Sequence, residues 1–410
     1  MAKYIGKYTD ESALMNAVIS GSLSKPYVAL AGQVVNYNEY GDTVIFDSNG
    51  NTAATVDAFA TSIVLDIYAP EWALSSSGEW ASLSVASGVG SGNCVVTFSE
   101  NIETGGAERS SVITLSYTLG GESLTKIFNL TQEYGSLASM PVTLDIVSAG
   151  TIGLSNSISN PKTIQYKLND GEWTTWTGSL DVSVGDTVQL KDTLTGTNST
   201  LTFTDGGARY NMKGNILSLY DAENYATLTA VTSSSTGCIV PHFAGGPIDA
   251  ENLYFPDVKL GPSAFNGMFN YSTTLVKAPK ELKSQSLAYR CYYQMFKNCS
   301  NLTTTPILAA TDVAGQAAYY DMFNACTSLT EAAEISATAI TGSEACRGMF
   351  FQCANLAYVK CLAKSITGTS AMNDWLYGVA SRGTFVKSPD MSSWSTGTAG
   401  IPNNWTVIDA

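Results

Sequence analysis

The sequence predicts a mainly β, multidomain chain that ends in a solenoid of α/β units, and three observations predict it. In the C-terminal third, Met268-Phe269, Met295-Phe296, Met322-Phe323 and Met349-Phe350 recur every 27 residues. Upstream of them, apolar and polar residues alternate between turn signals, the pattern of half-buried strands. Only 14% of the residues are charged, while Gly, Ser, Thr and Asn are abundant, a mix typical of β-rich extracellular or virion proteins. At 410 residues the chain has room for two to four domains. The boundaries expected are 1–50 for an N-terminal arm, 51–135 for a β-sandwich and 136–205 for a second small β domain. A linker and solenoid N-cap at 206–260, the repeats at 261–380 and a C-terminal cap at 381–410 follow.

The N-terminal arm has its own character. Ser24 to Leu30 followed by Val34 to Asn38 resembles short N-terminal segments on virion proteins of Bacteroides phages, including crAss-like phages. That resemblance implies docking onto capsid or other virion proteins, with Pro26, Tyr27 and Tyr37 as candidate docking residues. The opening MAKYIGKYTDESALMN holds neither an apolar run of signal-peptide length nor a lipoprotein-type Cys. No segment approaches 18 consecutive apolar residues, so neither an export signal nor membrane insertion is expected. Synthesis in a host cytoplasm and residence in a virion is the localisation that fits.

From about Thr55 to Tyr134 the clearest strands are Cys94 to Ser99, Ser111 to Thr118 and Thr125 to Thr131, with turns expected at Ser87 to Gly92 and Thr104 to Gly106. Trp72, Trp80, the run SLSVASGVGSG, Glu108-Arg109-Ser110 and the closing NLTQEYG resemble the BACON domain, an immunoglobulin-like β-sandwich module. The resemblance implies carbohydrate or mucin binding, or a spacer. In the second β domain, Ile164 to Leu168 and Glu172 to Trp176 flank Asn169-Asp170-Gly171, a hairpin in which Asp-Gly accommodates the positive φ of a tight turn. Leu180 to Val184 and Thr187 to Leu190 continue the pattern, and Met212, Ile216, Leu217 and Leu219 are expected to cap the solenoid.

In the repeats, a Leu follows each Met by seven residues (Leu275, Leu302, Leu329, Leu356), and Cys299, Cys326 and Cys353 hold a phase where the first copy has Ser272. One such unit cannot bury its apolar face alone, so units stack and these residues become ladders in a continuous core. In the second copy Ala288, Tyr292, Met295 or Phe296, and Cys299 fall at helical spacing, and Leu302 to Leu308 reads as a short strand. Helix plus strand in about 20–29 residues is the leucine-rich class of repeat. The stretch from about Gly261 to Ala380, with YYQMFKNCSNLTTTPIL and YYDMFNACTSLTEAAEI, resembles the BspA-like leucine-rich repeats of Bacteroidetes surface proteins and their phages. Trp375-Leu376 follows the last Met-Phe pair by 26 residues, and with Phe385, Trp394, Pro402 and Trp405 it is expected to close the stack.

Chemistry is sparse. The formal net charge of −14, with 21 basic residues scattered among 35 acidic ones, argues against a nucleic-acid partner. A catalytic triad would depend on the single His242. There is no CxxC or HExxH, and the Gly-rich runs lack the Lys-Ser/Thr of a phosphate loop. Catalytic residues, metal ligands and cofactors are therefore expected to be none, although paired acids for glycoside cleavage are a three-dimensional matter. Of the eight cysteines, Cys291, Cys299, Cys326, Cys346 and Cys353 lie inside the repeats and Cys361 in the turn that follows, while Cys94 and Cys238 stand alone, which predicts reduced, buried thiols.

The ligand candidates are aromatic. One of Trp72 and Trp80 should anchor the sandwich while the other is free for a ligand, and one of Trp173 and Trp176 should face outward. Tyr289, Tyr292, Tyr293, Tyr319 and Tyr320 recur at repeat phase, with Tyr292 and Tyr319 as binding candidates in an exposed stripe. The expected function is a phage structural protein on the virion surface, a head fibre, capsid decoration or tail-associated fibre. It would bind host-surface or mucosal glycans or proteins without catalysis, as a homo-oligomer such as a trimer if it follows other fibres. The rival reading is a Bacteroidetes cell-surface adhesin built from the same display modules.

Overall fold

A computed structural model describes residues 28–30, 33–35, 44–47, 50–56, 58, 60–102, 106–119, 122–155, 163–192, 201–232, 238–392 and 394–410. The chain is mainly β, with several sheets, and it divides into two compact units at Ser136/Leu137. The docking candidates Pro26, Tyr27 and Tyr37 lie outside the described residues.

In the first unit, β1 (Val28–Leu30) and β2 (Gln33–Val35) form an antiparallel pair. The main sheet comprises β3 (Val44–Asp47), β4 (Ala53–Val56), β5 (Ser62–Ser76), β6 (Ala81–Leu83), β7 (Ser87–Phe98), β8 (Arg109–Leu119) and β9 (Glu122–Gln132). The 15-residue β5 organises it. It pairs with β7 along most of its length, with β3 in its first half and with β8 in its second, and the register against β7 slips between Ala69 and Glu71, where Pro70 has no N–H to give a ladder. The slip changes which parity faces inward: Leu65, Ile67 and Ala69 are buried before it, Trp72 and Leu74 after it. Cys94, Val96, Ile113, Leu115, Phe128 and Leu130 complete that core.

The turn expected at Ser87 to Gly92 is instead the first half of β7. Trp72 lies opposite Gly88 in the register, and a Cβ on either Gly88 or Gly92 would collide with its indole ring. The glycines therefore make room for a buried Trp on the neighbouring strand and do not mark a bend.

The second unit, Leu137–Ala410, has one continuous core that runs from Val142 to Trp405. The boundaries expected at 205/206, 260/261 and 380/381 fall inside it. A six-stranded sheet containing Val142–Ser148, Thr187–Asp192 and Arg209–Asn215 is extended in parallel by Pro247–Tyr254. The hairpin over Asn169-Asp170-Gly171 forms, pairing Gln165 with Thr175, but the positive φ (51°) sits on Asn169 and not at Asp-Gly. Asn tolerates the left-handed region because its short side chain bonds locally, here accepting from the Thr187 N–H. Phe203 stacks on Phe243 at 4.9 Å and Phe243 meets Phe269, tilted, at 5.9 Å, carrying the aromatic interior of this sheet region into the first repeat.

Each repeat departs from the expected helix. Among the described residues there is no α-helix, and Ala288 to Cys299 is a chain of consecutive turns. Cys291, Tyr293, Met295, Lys297 and Cys299 donate their N–H groups three residues back. The alternate donors Arg290, Tyr292, Gln294, Phe296 and Asn298 point along the stack, to carbonyls of Gln316, Ala318, Tyr320, Met322 and Asn324. Every fourth residue takes positive φ: Arg290 53°, Gln294 55° and Asn298 62°, then Ala317, Asp321 and Ala325 one unit later. The apolar pattern accounts for this choice. Cys291-Tyr292, Met295-Phe296 and Cys299 are buried at a spacing of four, which a 3.6-residue helix would rotate out of register. Left-handed residues cost about 1–2 kcal/mol each, offset here by ladder hydrogen bonds that no isolated unit could make.

Two expectations follow from this backbone. Asn298→Gly should leave thermal stability near that of the parent, whereas Asn298→Val should lower it by about 1–2 kcal/mol, since a β-branched residue is poorly accommodated at positive φ; equal melting temperatures for the two would show that the φ assignment is wrong. Gly342 is packed so closely that an added Cβ would lie 2.5 Å from the Gly315 carbonyl oxygen and 2.8 Å from that of Ala314. Because both obstacles are backbone, Gly342→Ala should cost about 1–3 kcal/mol by overpacking, read from chemical denaturation.

The strand expected from Leu302 to Leu308 shrinks to Ile307–Leu308, which pairs in parallel with Glu281–Leu282. The ladders themselves form. Phe269, Phe296, Phe323 and Phe350 stack at 5.4, 5.3 and 5.3 Å. Cys299, Cys326 and Cys353 each donate a thiol hydrogen bond of 3.0 Å to the carbonyl of Phe269, Phe296 and Phe323 respectively. All eight cysteines are buried thiols. Trp375 closes the column, tilted 6.5 Å from Phe350 and stacked 5.7 Å on Trp394, with its indole N–H donated to Gly400.

Candidate binding surface

The turn chain sorts side chains into two populations. Within each Tyr-Tyr pair, the first residue turns inward and the second outward. Tyr292 and Tyr319 are each 1% exposed and stack 5.8 Å apart, with Phe265 5.6 Å below Tyr292. The reading of Tyr292 and Tyr319 as an exposed stripe is thus corrected: they are core, and burial pushes both hydroxyls far above their usual pKa.

Their neighbours form the outward row. Tyr293 and Tyr320 stack at 5.1 Å. The Arg290 guanidinium carbon lies 5.0 Å from the ring centre of Tyr289 and 4.7 Å from that of Tyr293, and the Arg347 guanidinium lies 5.6 Å from Tyr320. The result is a row of rings and cations, Tyr289, Arg290, Tyr293, Tyr320 and Arg347, laid across three stacked units. A second outward pair, Phe351 and Tyr377, stacks at 5.3 Å. Beside the row, Asp321 accepts from Lys297 at 2.8 Å and from Gln294 at 3.3 Å, and Glu344 accepts from Arg347 at 2.6 Å. Half-burial raises the Tyr293 hydroxyl above its usual range, so it stays a neutral donor at physiological pH.

Within each tryptophan pair one member is buried and the other half-buried. Trp72 is buried, its indole N–H given to the Gly90 carbonyl at 2.9 Å. Trp80 is half-buried, edge-on to Phe98 at 5.5 Å, with the Arg109 guanidinium 4.5 Å over its ring. Trp176 is buried between Tyr166 and Phe203, while Trp173 is half-buried under the Lys191 ammonium at 4.2 Å. Trp72 and Trp176 are buried and have no face left for a ligand, whereas Trp80 and Trp173, like the tyrosines of the row, have a cation over one face. Trp72 and Trp80 belong to the first unit, and Trp173 and Trp176 to the sheet region of the second. Sequence reasoning noted Tyr289, Tyr293 and Tyr320 as recurring but named Tyr292 and Tyr319 as the binding candidates; it missed Arg347, which shares the 27-residue phase of Tyr293 and Tyr320, and Arg290, whose phase holds Ala317 and Glu344 in the next units and gives no signal.

Other features offer little chemistry. His242 is half-buried beside Gly267, and desolvation lowers its pKa. A cleft of about 300 Å³ near the C-terminal cap, lined by Gly368, Ser370, Asn373, Met391, Trp394 and Ser395 among others, contains no titratable side chain. Among the described residues, no group of three or more His, Cys, Asp or Glu side chains is arranged to hold a metal ion, and no helix is long and apolar enough to cross a membrane.

Neither a protein-family model nor a curated protein matches the chain. Among solved structures, a Bacteroides ovatus GH5 xyloglucanase in complex with a XXXG heptasaccharide is similar at 22% identity and a TM-score of 0.20, over 23% of this chain and 20% of that one. The Pseudomonas aeruginosa CupB2 chaperone is similar at 9% identity and a TM-score of 0.18, over 40% of this chain and 97% of its own. The chain thus spans about a fifth of the xyloglucanase, and neither likeness extends to the fold as a whole.

Proposed function

We propose that this chain is a non-catalytic display protein of a bacteriophage virion that binds host-surface or mucosal glycans or proteins. It would be a head fibre, a capsid decoration or a tail-associated fibre, docked through its N-terminal arm to capsid or neighbouring virion proteins. In this reading the first unit is a BACON-like, immunoglobulin-like sandwich, and the repeats are a BspA-like leucine-rich solenoid whose helical side is replaced by stacked turns. One observation carries the binding role: the interior of the repeats is taken up by packing, while Tyr289, Tyr293, Tyr320 and two arginines stand in a row on the outside of that rigid frame. Aromatic faces and guanidinium donors are the side chains that stack on sugar rings and anchor protein partners.

Antibody raised against the chain, applied to purified phage particles in electron microscopy, tests the location. Labelling at heads or tails supports it, whereas labelling confined to uninfected bacterial cells would identify a cell-surface adhesin instead. A glycan array probed with the full chain tests the activity.

A further inference from the structure

We propose that the row of Tyr289, Arg290, Tyr293, Tyr320 and Arg347 is a site for acidic glycans, in which Arg290 takes the carboxylate of a uronic or sialic acid residue. The inference rests on the glycan-binding reading above and names the ligand class.

The cations of this face differ in what they already hold. Lys297 is taken by Asp321 at 2.8 Å and Arg347 by Glu344 at 2.6 Å. Arg290 forms no ion pair and no side-chain hydrogen bond among the described residues, and its Nε is buried without a partner. Lys191 and Arg382 also lack an ion pair among the described residues, but of these three only Arg290 stands in the tyrosine row. It is also fixed in place. Contact with Tyr289 and Tyr293, at 5.0 and 4.7 Å from the ring centres, restrains its plane and removes much of the rotamer freedom that binding would otherwise have to freeze.

A restrained guanidinium presents paired donors that match a carboxylate in a two-point hydrogen bond, stronger than a neutral contact. Tyr289 is 39% exposed and supplies an apolar ring beside that position, which suits the apolar face of a sugar and gives a bare phosphate nothing to contact. The Tyr293–Tyr320 stack then leads along the repeat axis to Arg347, so that flanking sugar residues of the same strand have rings and a second guanidinium to meet. Glu344 beside Arg347 disfavours a second carboxylate there, which makes Arg290 the discriminating contact.

Calorimetric titration of the full chain with sialyllactose against lactose, and with oligogalacturonate against its methyl ester, tests this. The acidic member of a pair should bind roughly tenfold or more tightly, the value of one charged hydrogen-bonded contact, and added salt should weaken it. Arg290→Gln should bring acidic and neutral affinities together, with Arg290→Lys keeping part of the preference, at an unchanged melting temperature. If Arg290→Gln proves unstable, Tyr289→Ala on the exposed ring serves in its place and should weaken both members of a pair. Equal binding of acidic and neutral glycans by the parent, or a preference surviving in Arg290→Gln, overturns the proposal. Neutral glycans bound at the row and lost in Tyr293→Ala, without any acidic preference, would leave the glycan-binding reading standing and remove only this one. Failure of every glycan to bind would remove both.

Discussion

Replacing Phe323 by Ala is expected to destabilise the second unit by about 3–5 kcal/mol, the range for truncation of a fully buried Phe. Phe323 is 0% exposed and stacks at 5.3 Å on both Phe296 and Phe350, so the cavity opens between two rings that are themselves held by further rungs. The surrounding backbone has little freedom to collapse into the space, because the Phe323 N–H bonds to Met349 and its carbonyl accepts from the Cys326 N–H and the Cys353 thiol. Hydrogen exchange should therefore speed up not only in the unit carrying the change but in both neighbours, since each unit is buried by the next. Denaturant unfolding gives the magnitude. A cost below about 1 kcal/mol would mean that the column is not a packed core.

Alkaline pH is expected to unfold this unit before the first one. Burial pushes the thiols of Cys291, Cys353 and Cys361 up to about 12, and those of Cys299, Cys326 and Cys346 are raised as well. An unfolded thiol ionises near about 8.5. Above that pH the unfolded chain releases protons that the folded chain retains, so the unfolded state binds fewer protons and stability falls as pH rises. The loss is absent below about 8.5 and accumulates toward about 12 at up to about 1.4 kcal/mol per pH unit for each such thiol. Replacing Cys299, Cys326 and Cys353 together by Ala should flatten the slope of stability against pH over that window. An unchanged slope would show that these thiols are not desolvated. At neutral pH the same cysteines should react with thiol reagents only after denaturant is added.

How far the sequence discloses this structure depends on whether a feature is periodic or cross-strand. The ladder of Met, Phe, Leu and Cys is legible because stacking demands identical residues at identical phase, and a count of 27 reveals it without any local conformation. The turn chain is not legible, since a spacing of four over a dozen residues is close to helical spacing and the deciding hydrogen bonds run to carbonyls 26 residues away. The spacing that groups Tyr292 with Met295 and Cys299 already points it into the core, so an exposed Tyr292 runs against that pattern, whereas the place of Arg290 beside Tyr289 and Tyr293 depends on the turn backbone. Gly88 and Gly92 read as a turn because the Trp72 ring they accommodate belongs to a strand whose register no local pattern discloses. The ion pairs Lys277–Glu251, Lys360–Glu334 and Lys297–Asp321, by contrast, join residues about one repeat apart and could have been read from the period.

Under the proposed function, recognition sits on the turn face of the repeats and the tryptophans of the other β regions are structural. Binding of the full chain to host cells and to a glycan array, compared among the parent, Tyr293→Ala/Tyr320→Ala and Trp80→Ala at matched melting temperature, tests it most directly. The expected result is binding lost in the double tyrosine variant and kept in Trp80→Ala. Binding kept by the tyrosine variant and lost in Trp80→Ala would place recognition in the N-terminal unit and leave the repeats as a spacer.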